Sequence, residues 1–182
     1  VKKDMYRKVT PTEDVLNFND LITKYGKEPI EDQSEWKAIA ALIYTGGTTG
    51  VSKGVMLAHS NISSVVQQFV AWFPDLKVGR PERLLGIYPI FHSAGYSVSQ
   101  NLIIWNGWSC VLIPKPEPKV IVDMLAKYRP TFLPGVPTVY LGLLGSDKFR
   151  NMDLSFVKGY FAGAAPLAED TIAQLKALHG AT

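Results

Sequence analysis

The run Tyr44-Thr45-Gly46-Gly47-Thr48-Thr49-Gly50-Val51-Ser52-Lys53-Gly54-Val55 joins glycines, hydroxyls and one cation in a single short loop. That set of groups suits a polyphosphate. Glycines let a backbone approach an anion closely and adopt positive φ. Successive backbone N–H groups then form an anion-binding nest. The hydroxyls of Thr45, Thr48 and Thr49 add donors, and Lys53 brings a compact charge on a flexible stem. The loop is not a Walker A element, which needs Gly-Lys-Ser/Thr after four spacer residues. Here Ser52 precedes the lysine and Gly54 follows it. Apolar Val55-Met56-Leu57 then reads as a strand, where a Walker loop would open a helix.

Two further segments carry groups of use. His92 stands in Pro89-Ile90-Phe91-His92-Ser93-Ala94-Gly95, after a short apolar run. A lone His after an apolar run is a candidate orienting group. Gly163-Ala164-Ala165-Pro166-Leu167 offers side chains small enough for a flat ring to lie against backbone. Read singly, each segment has an ordinary alternative: a surface turn with a solvated lysine, a packed histidine, a strand-to-helix turn. The chain shows no Ser-His-Asp order and no Gly-x-Ser-x-Gly elbow, which argues against acyl transfer through an enzyme serine.

The glycine- and threonine-rich loop resembles the phosphate-binding motif of the adenylate-forming enzymes. That superfamily holds acyl-CoA synthetases, luciferases and peptide-synthetase adenylation domains. Most members have Ser where this chain has Gly46, and Pro where it has Ser52. The version found here is most similar to that of long-chain fatty-acid–CoA ligases. Pro89 to Gly95 is similar to the family's Pro-x-Phe-His-x-x-Gly motif, and Pro134-Gly135-Val136-Pro137-Thr138-Val139-Tyr140 to its Val-Pro-Thr segment. Gly163 to Leu167 resembles the adenine-side Gly-Gly-Ala-Pro-Leu loop, with Ala164 in place of the commoner Gly. The four motifs follow in family order from about Ala38 onward.

The resemblance implies ATP-dependent activation of a long-chain fatty acid to acyl-AMP, then thioester formation with CoA. It implies that Thr45, Gly46, Gly47, Thr48, Thr49 and Gly50 hold the β and γ phosphates, and that Lys53 neutralises them. The resemblance also implies that Thr48 or Thr49, with Thr48 the first choice, helps hold magnesium. His92 lies beside the α-phosphate and the acid, so that His92 and Lys53 are the catalytic pair. Gly163, Ala164, Ala165 and Pro166 face the adenine, and the acyl pocket lies among Tyr96, Val136 and Pro137. An aryl-CoA ligase, an amino-acid adenylation domain and a non-catalytic nucleotide-binding piece are the alternatives. The chain reaches Thr182 without the family's Tyr-Gly-x-Thr-Glu motif, its ribose-binding Asp or its small C-terminal domain with a catalytic lysine. An internal piece of a longer enzyme, inactive alone, is therefore expected. Such a piece would expose sheet edges and apolar faces, and so self-associate.

Bulk composition agrees with a folded unit. The chain has 182 residues, 47% hydrophobic and 19% charged, enough for one domain with a real core. A net charge of +3 is too small to argue for a nucleic-acid partner. Lys2, Lys3, Arg7 and Lys8 form the one basic cluster, interrupted by Asp4; it reads as a solvated end, at most a minor contact with a membrane surface. Cys110 is the single cysteine, which excludes an internal disulfide and fits a reducing, cytoplasmic location. No apolar stretch reaches the roughly 18 residues of a membrane span.

These groups need elements to position them. Residues 1–36 read as an irregular connecting segment and 37–182 as the α/β nucleotide-binding portion of an AMP-binding domain. Apolar runs at 38–44, 55–57, 84–88, 108–113, 131–133 and 157–161 read as strands. Helices are expected from Asn61 as a cap to Phe73, and over 95–105, 118–127, 137–144 and 166–179. The alternation predicts an α/β fold, a largely parallel sheet with helices on both faces, part of a large N-terminal domain. Ligands of such sheets bind beyond the carboxyl ends of the strands, so the phosphate loop, His92 and Gly163 are expected along one rim.

Overall fold

The computed structural model describes residues 10, 12, 15–26, 28–46, 50–73 and 81–179. It divides into two units, Val1–Ser34 and Glu35–Thr182. In the first, helix α1 (Phe18–Lys24) is capped by Asn17, whose side chain accepts the Asn19 N–H.

The second unit opens with a hairpin. Strand β1 (Ile39–Thr45) pairs antiparallel with β2 (Lys53–Ala58), with Thr45 opposite Lys53. Helix α2 (His59–Trp72) follows β2 directly. It starts two residues before the expected cap. Asn61 instead sits inside the first turn, and its Oδ1 accepts the Ala58 N–H at 2.9 Å. That bond satisfies a donor which precedes the helix, so the chain turns helical before Asn61, not at it.

Four strands form a parallel sheet in the order β4-β3-β5-β6: β3 (Arg83–Gly86), β4 (Ser109–Leu112), β5 (Phe132–Gly135) and β6 (Gly159–Ala162). Side chains alternate across a strand, so neighbours face opposite layers. Leu85 and Leu133 join one apolar cluster with Ile121, Leu125, Tyr140, Phe149 and Leu175. That layer is built from α4 (Pro118–Tyr128), α5 (Pro137–Leu144), α6 (Asp147–Arg150) and α7 (Glu169–His179). Leu84 and Phe132 face the other cluster, with Val66 of α2, Val98 and Leu102. Both faces are thus covered, as the apolar strands require.

The expected helix over 95–105 is present but altered. Gly95–Asn101 is wound as a π-helix, and α3 (Leu102–Asn106) completes it, ending on Gly107 at φ 66°. Gly95, Val98, Ser99, Leu102, Ile103 and Asn106 are buried, so the inward face still has helical spacing. No helix among the described residues is long and apolar enough to cross a membrane.

Candidate functional site

The carboxyl ends of β3, β5 and β6 converge. Tyr88, just past β3, donates from Oη to the Gly135 carbonyl at 2.7 Å. The Gly163 N–H donates to the same carbonyl at 3.0 Å. A Cβ at Gly163 would lie 3.5 Å from Tyr88 Oη. The His92 turn, the Val136 segment and the Gly163 loop therefore all leave from one rim. Burial pushes the Tyr88 phenol up to about 12, so it stays a neutral donor at pH 7.

His92 is exposed in the turn after Pro89. Its N–H donates to the Pro89 carbonyl at 3.0 Å. The Ala94 N–H donates to His92 Nδ1 at 3.1 Å. An accepting Nδ1 places the proton of a neutral ring on Nε2, which becomes the donor offered to an anion or a carboxylate. Beside this turn an apolar groove of about 440 Å³ runs along the ends of β3 and β4. Ile90 and Phe91 form one wall and Leu112, Ile113, Pro114 and Pro116 the other; Phe91 is 87% exposed.

Tyr96 stands at the start of the π-helix. It lines a second cavity, of about 350 Å³, with His59, Ile62, Val66, Asn101 and Trp105. Val136 and Pro137 line neither cavity: Val136 caps α5 with its carbonyl, which accepts the Val139 N–H at 2.9 Å, and Pro137 opens that helix. Tyr96 is thereby grouped with α2 and α3, apart from Val136 and Pro137.

The phosphate-type loop lies elsewhere in the topology. It links two antiparallel strands and does not follow a strand of the parallel sheet. The expectation that the phosphate loop, His92 and Gly163 would all follow strands of one parallel sheet is corrected here for the phosphate loop. The pattern of an apolar run before a glycine loop is shared by a hairpin and a parallel strand, and it does not distinguish them. Gly50 has φ 86°, the left-handed conformation that glycine adopts freely. Thr45, Gly46 and Lys53 are exposed, and Thr45 Oγ1 lies 3.5 Å from the Lys53 carbonyl. Gly47, Thr48 and Thr49 lie outside the described residues. Among the described residues no group of three or more His, Cys, Asp or Glu could hold a metal ion.

In the Gly163 loop, Ala164 adopts φ 70°, and Ala164, Ala165 and Pro166 are exposed. Sequence reasoning assigns no role to Tyr88 or Asn101. Tyr88 adjoins Pro89 and reads only as the end of a strand; nothing in the spacing marks Asn101.

A family model described as AMP-binding enzyme matches residues 2–182. The chain belongs to the AMP-binding enzyme family. The four motifs carry the resemblance to adenylate-forming enzymes from about Ala38 onward, and the family match reaches back to residue 2. Among curated AMP-binding enzymes, a long-chain-fatty-acid–CoA ligase of Bacillus subtilis (strain 168) is 43% identical over 129 residues, 71% of this chain and 23% of that protein. A probable 4-coumarate–CoA ligase 1 of Dictyostelium discoideum is 33% identical over 157 residues, 86% of this chain and 28% of that protein. ATP-bound MatB from Rhodopseudomonas palustris superimposes with a TM-score of 0.75 at 31% identity, over 89% of this chain and 31% of that one. The chain thus spans about a quarter of the length of the curated relatives it matches. The TM-score shows that the parallel sheet with helices on both faces is shared with that solved structure.

Proposed function

We propose that this chain forms the phosphate-binding and acid-binding part of an ATP-dependent acyl-CoA ligase that activates long-chain fatty acids. The acid's carboxylate, already ionised at pH 7, attacks the α-phosphorus of ATP. A C(O)O–P bond forms, the bond to the β-phosphate oxygen breaks, and pyrophosphate leaves. The CoA thiolate then attacks the acyl carbon, forming a thioester and expelling AMP. No general base is needed in the first half, so the work is positioning and charge neutralisation.

The residues have parts suited to this. Lys53 neutralises the phosphates above the hairpin, where Thr45, Gly46, Gly47, Thr48, Thr49 and Gly50 supply donors. Magnesium would ride on the phosphates, with Thr48 as the protein's contribution; such ions are often held through substrate phosphates and few side chains. His92 donates from Nε2 to the acid or the α-phosphate. Gly163, Ala164, Ala165 and Pro166 receive the adenine.

One observation carries the reading: the Ala94 N–H on His92 Nδ1 presents an Nε2 donor in a turn leaving the carboxyl rim, beside an apolar groove. The aliphatic assignment draws on the 43% identity to a fatty-acid ligase. An aryl-CoA ligase is the second reading, favoured by the longer match to the 4-coumarate ligase. The test is acid-dependent exchange of labelled pyrophosphate into ATP by a family-length protein that contains this chain. Exchange driven by long aliphatic acids supports the proposal. Exchange driven only by aryl or amino acids overturns the substrate. No exchange, in a folded protein that binds ATP, leaves a nucleotide-binding module without this activity.

A further inference from the structure

The π-wound segment is unusual enough to need a cause. A π turn is rare, and inside an α-helix it is often found at a functional site. Here it follows the His92 turn directly. The Leu102 N–H donates to the Ser97 carbonyl, five residues back. Asn101 Nδ2 donates to the Tyr96 carbonyl at 2.8 Å, again across five residues. A side chain thus repeats the wide spacing that the backbone makes in this turn.

From the Tyr96 carbonyl a line of hydrogen bonds runs to the rim. The Tyr96 N–H donates to the His92 carbonyl at 2.9 Å, and the His92 N–H to the Pro89 carbonyl at 3.0 Å. At the far end the backbone is pinned, because a Cβ on Gly95 would lie 1.9 Å from Pro89 O. The segment is held at Pro89 by contact and at Tyr96 by the Asn101 amide. Asn101 is half-buried and lines the same cavity as Tyr96.

We propose that Asn101 is a positioning residue: its amide holds the Tyr96 carbonyl in the wide turn, and through it sets where His92 and Tyr96 stand toward the acid. This rests on the functional reading above. Asn101 acts on the Tyr96 carbonyl, and Tyr96 in turn is tied to His92 by its own N–H on the His92 carbonyl. Without the amide, the Tyr96 carbonyl is free to return to the narrower α spacing, and the His92 turn follows.

The test uses Asn101→Asp, which keeps the shape and loses the donor, and Asn101→Leu, in the family-length protein. Pyrophosphate exchange is followed against acid and against ATP. The expected result is a rise of about tenfold in KM for the acid, the equivalent of one propping hydrogen bond, with KM for ATP within about twofold. A fall in melting temperature with KM values for acid and ATP both unchanged, or raised together, would overturn the proposal. A second readout does not need turnover. Long-range ¹H–¹⁵N spectra of the imidazoles report whether His92 keeps its proton on Nε2. The wild type should show that tautomer, and Asn101→Asp a mixture of the two. Identical His92 spectra in both overturn the positioning role. If no acid drives exchange in the wild type, the functional reading falls, and the spectra alone decide the role of Asn101.

Discussion

A methyl group on Gly95 would fall 1.9 Å from the Pro89 carbonyl oxygen and 2.8 Å from that of Tyr88. The nearest atoms are backbone, which cannot swing aside. The glycine is demanded here by close approach, not by a left-handed φ. Gly95→Ala should therefore lift the π-helix away from the His92 turn. A loss of about 2–3 kcal/mol in folding stability is expected from overpacking of this kind. Gly46→Ala serves as the control, because a Cβ there meets nothing within 4 Å. Denaturant melts of both variants check the pair; equal stabilities would refute the steric account.

Ala164 carries a conformational cost that glycine would not. At φ 70° its Cβ crowds the backbone, at a cost of about 1–2 kcal/mol. Glycine also gains freedom in the unfolded chain, which offsets part of the relief. Ala164→Gly is expected to be neutral to about 1 kcal/mol stabilising, and Ala164→Val destabilising. Urea titration of the three proteins checks the order.

Lys53 is exposed at the mouth of the hairpin, opposite Thr45. Lys53→Ala should leave the melting temperature nearly unchanged while raising the KM for ATP by about tenfold, the loss of one charge-assisted contact. Pyrophosphate exchange at graded ATP concentrations reads this directly. An unchanged ATP dependence would remove the phosphate role.

Two ion pairs of similar chemistry should differ in worth. The Glu82 side chain is 1% exposed and pairs with Lys158 across the amino-terminal end of the sheet. The Asp123–Lys148 pair, at 2.6 Å, is open to solvent on both sides. Removing a partner from a buried carboxylate strands its charge, whereas exposed pairs contribute little. Lys158→Met should cost about 1–3 kcal/mol, the full penalty being reduced because Lys158 itself is half exposed. Lys148→Met should change little. Comparison of their unfolding midpoints settles which pair matters.

Alkaline pH should weaken the fold through buried phenols. Burial raises Tyr88 from 10.0 to about 12, and raises Tyr140 further still. The folded state therefore holds the phenol protons more tightly than the unfolded chain. That stabilisation is whole below pH 10 and is lost as pH climbs toward 12. Tyr88→Phe should lose about 1 kcal/mol at neutral pH, with the bond to Gly135, and show a shallower fall above pH 10. Unfolding midpoints from pH 8 to 11 test both halves.

Much of the scaffold was legible in the residues. Apolar runs marked each parallel strand, those at 108–113 and 131–133 bounded on both sides by Gly or Pro, and Pro137 opened its helix where proline is tolerated. Strand ends shifted by a residue or two because ladder pairing, not hydrophobicity, decides them. Apolar runs such as Ile39 to Tyr44 and Leu84 to Tyr88 look alike and do not reveal their partners. The hairpin of β1 and β2 could therefore not be told from a parallel strand. The π turn was hidden for another reason. Residues 95, 98, 99, 102, 103 and 106 keep ordinary helical spacing, while the wide turn comes from Gly95 meeting Pro89 and from a single amide. Such contacts join residues whose spacing carries no period.

The phosphate hairpin shares no ladder with the parallel sheet among the described residues. Its direct continuation is α2, a rod of about 21 Å at 1.5 Å per residue. That rod lies on the sheet through aromatic faces: Phe69 meets Phe132 and Phe161 with ring centres 5.9 and 5.4 Å apart. A pull on the loop by an arriving anion would reach the sheet as sliding between rings, not as broken strand pairing. Small sliding of a packed helix is the shear mode of movement, distinct from a hinge. If the hairpin holds a phosphate and the rim an acid, as proposed, a load on one would reach the other through ring contacts and not through strand pairing.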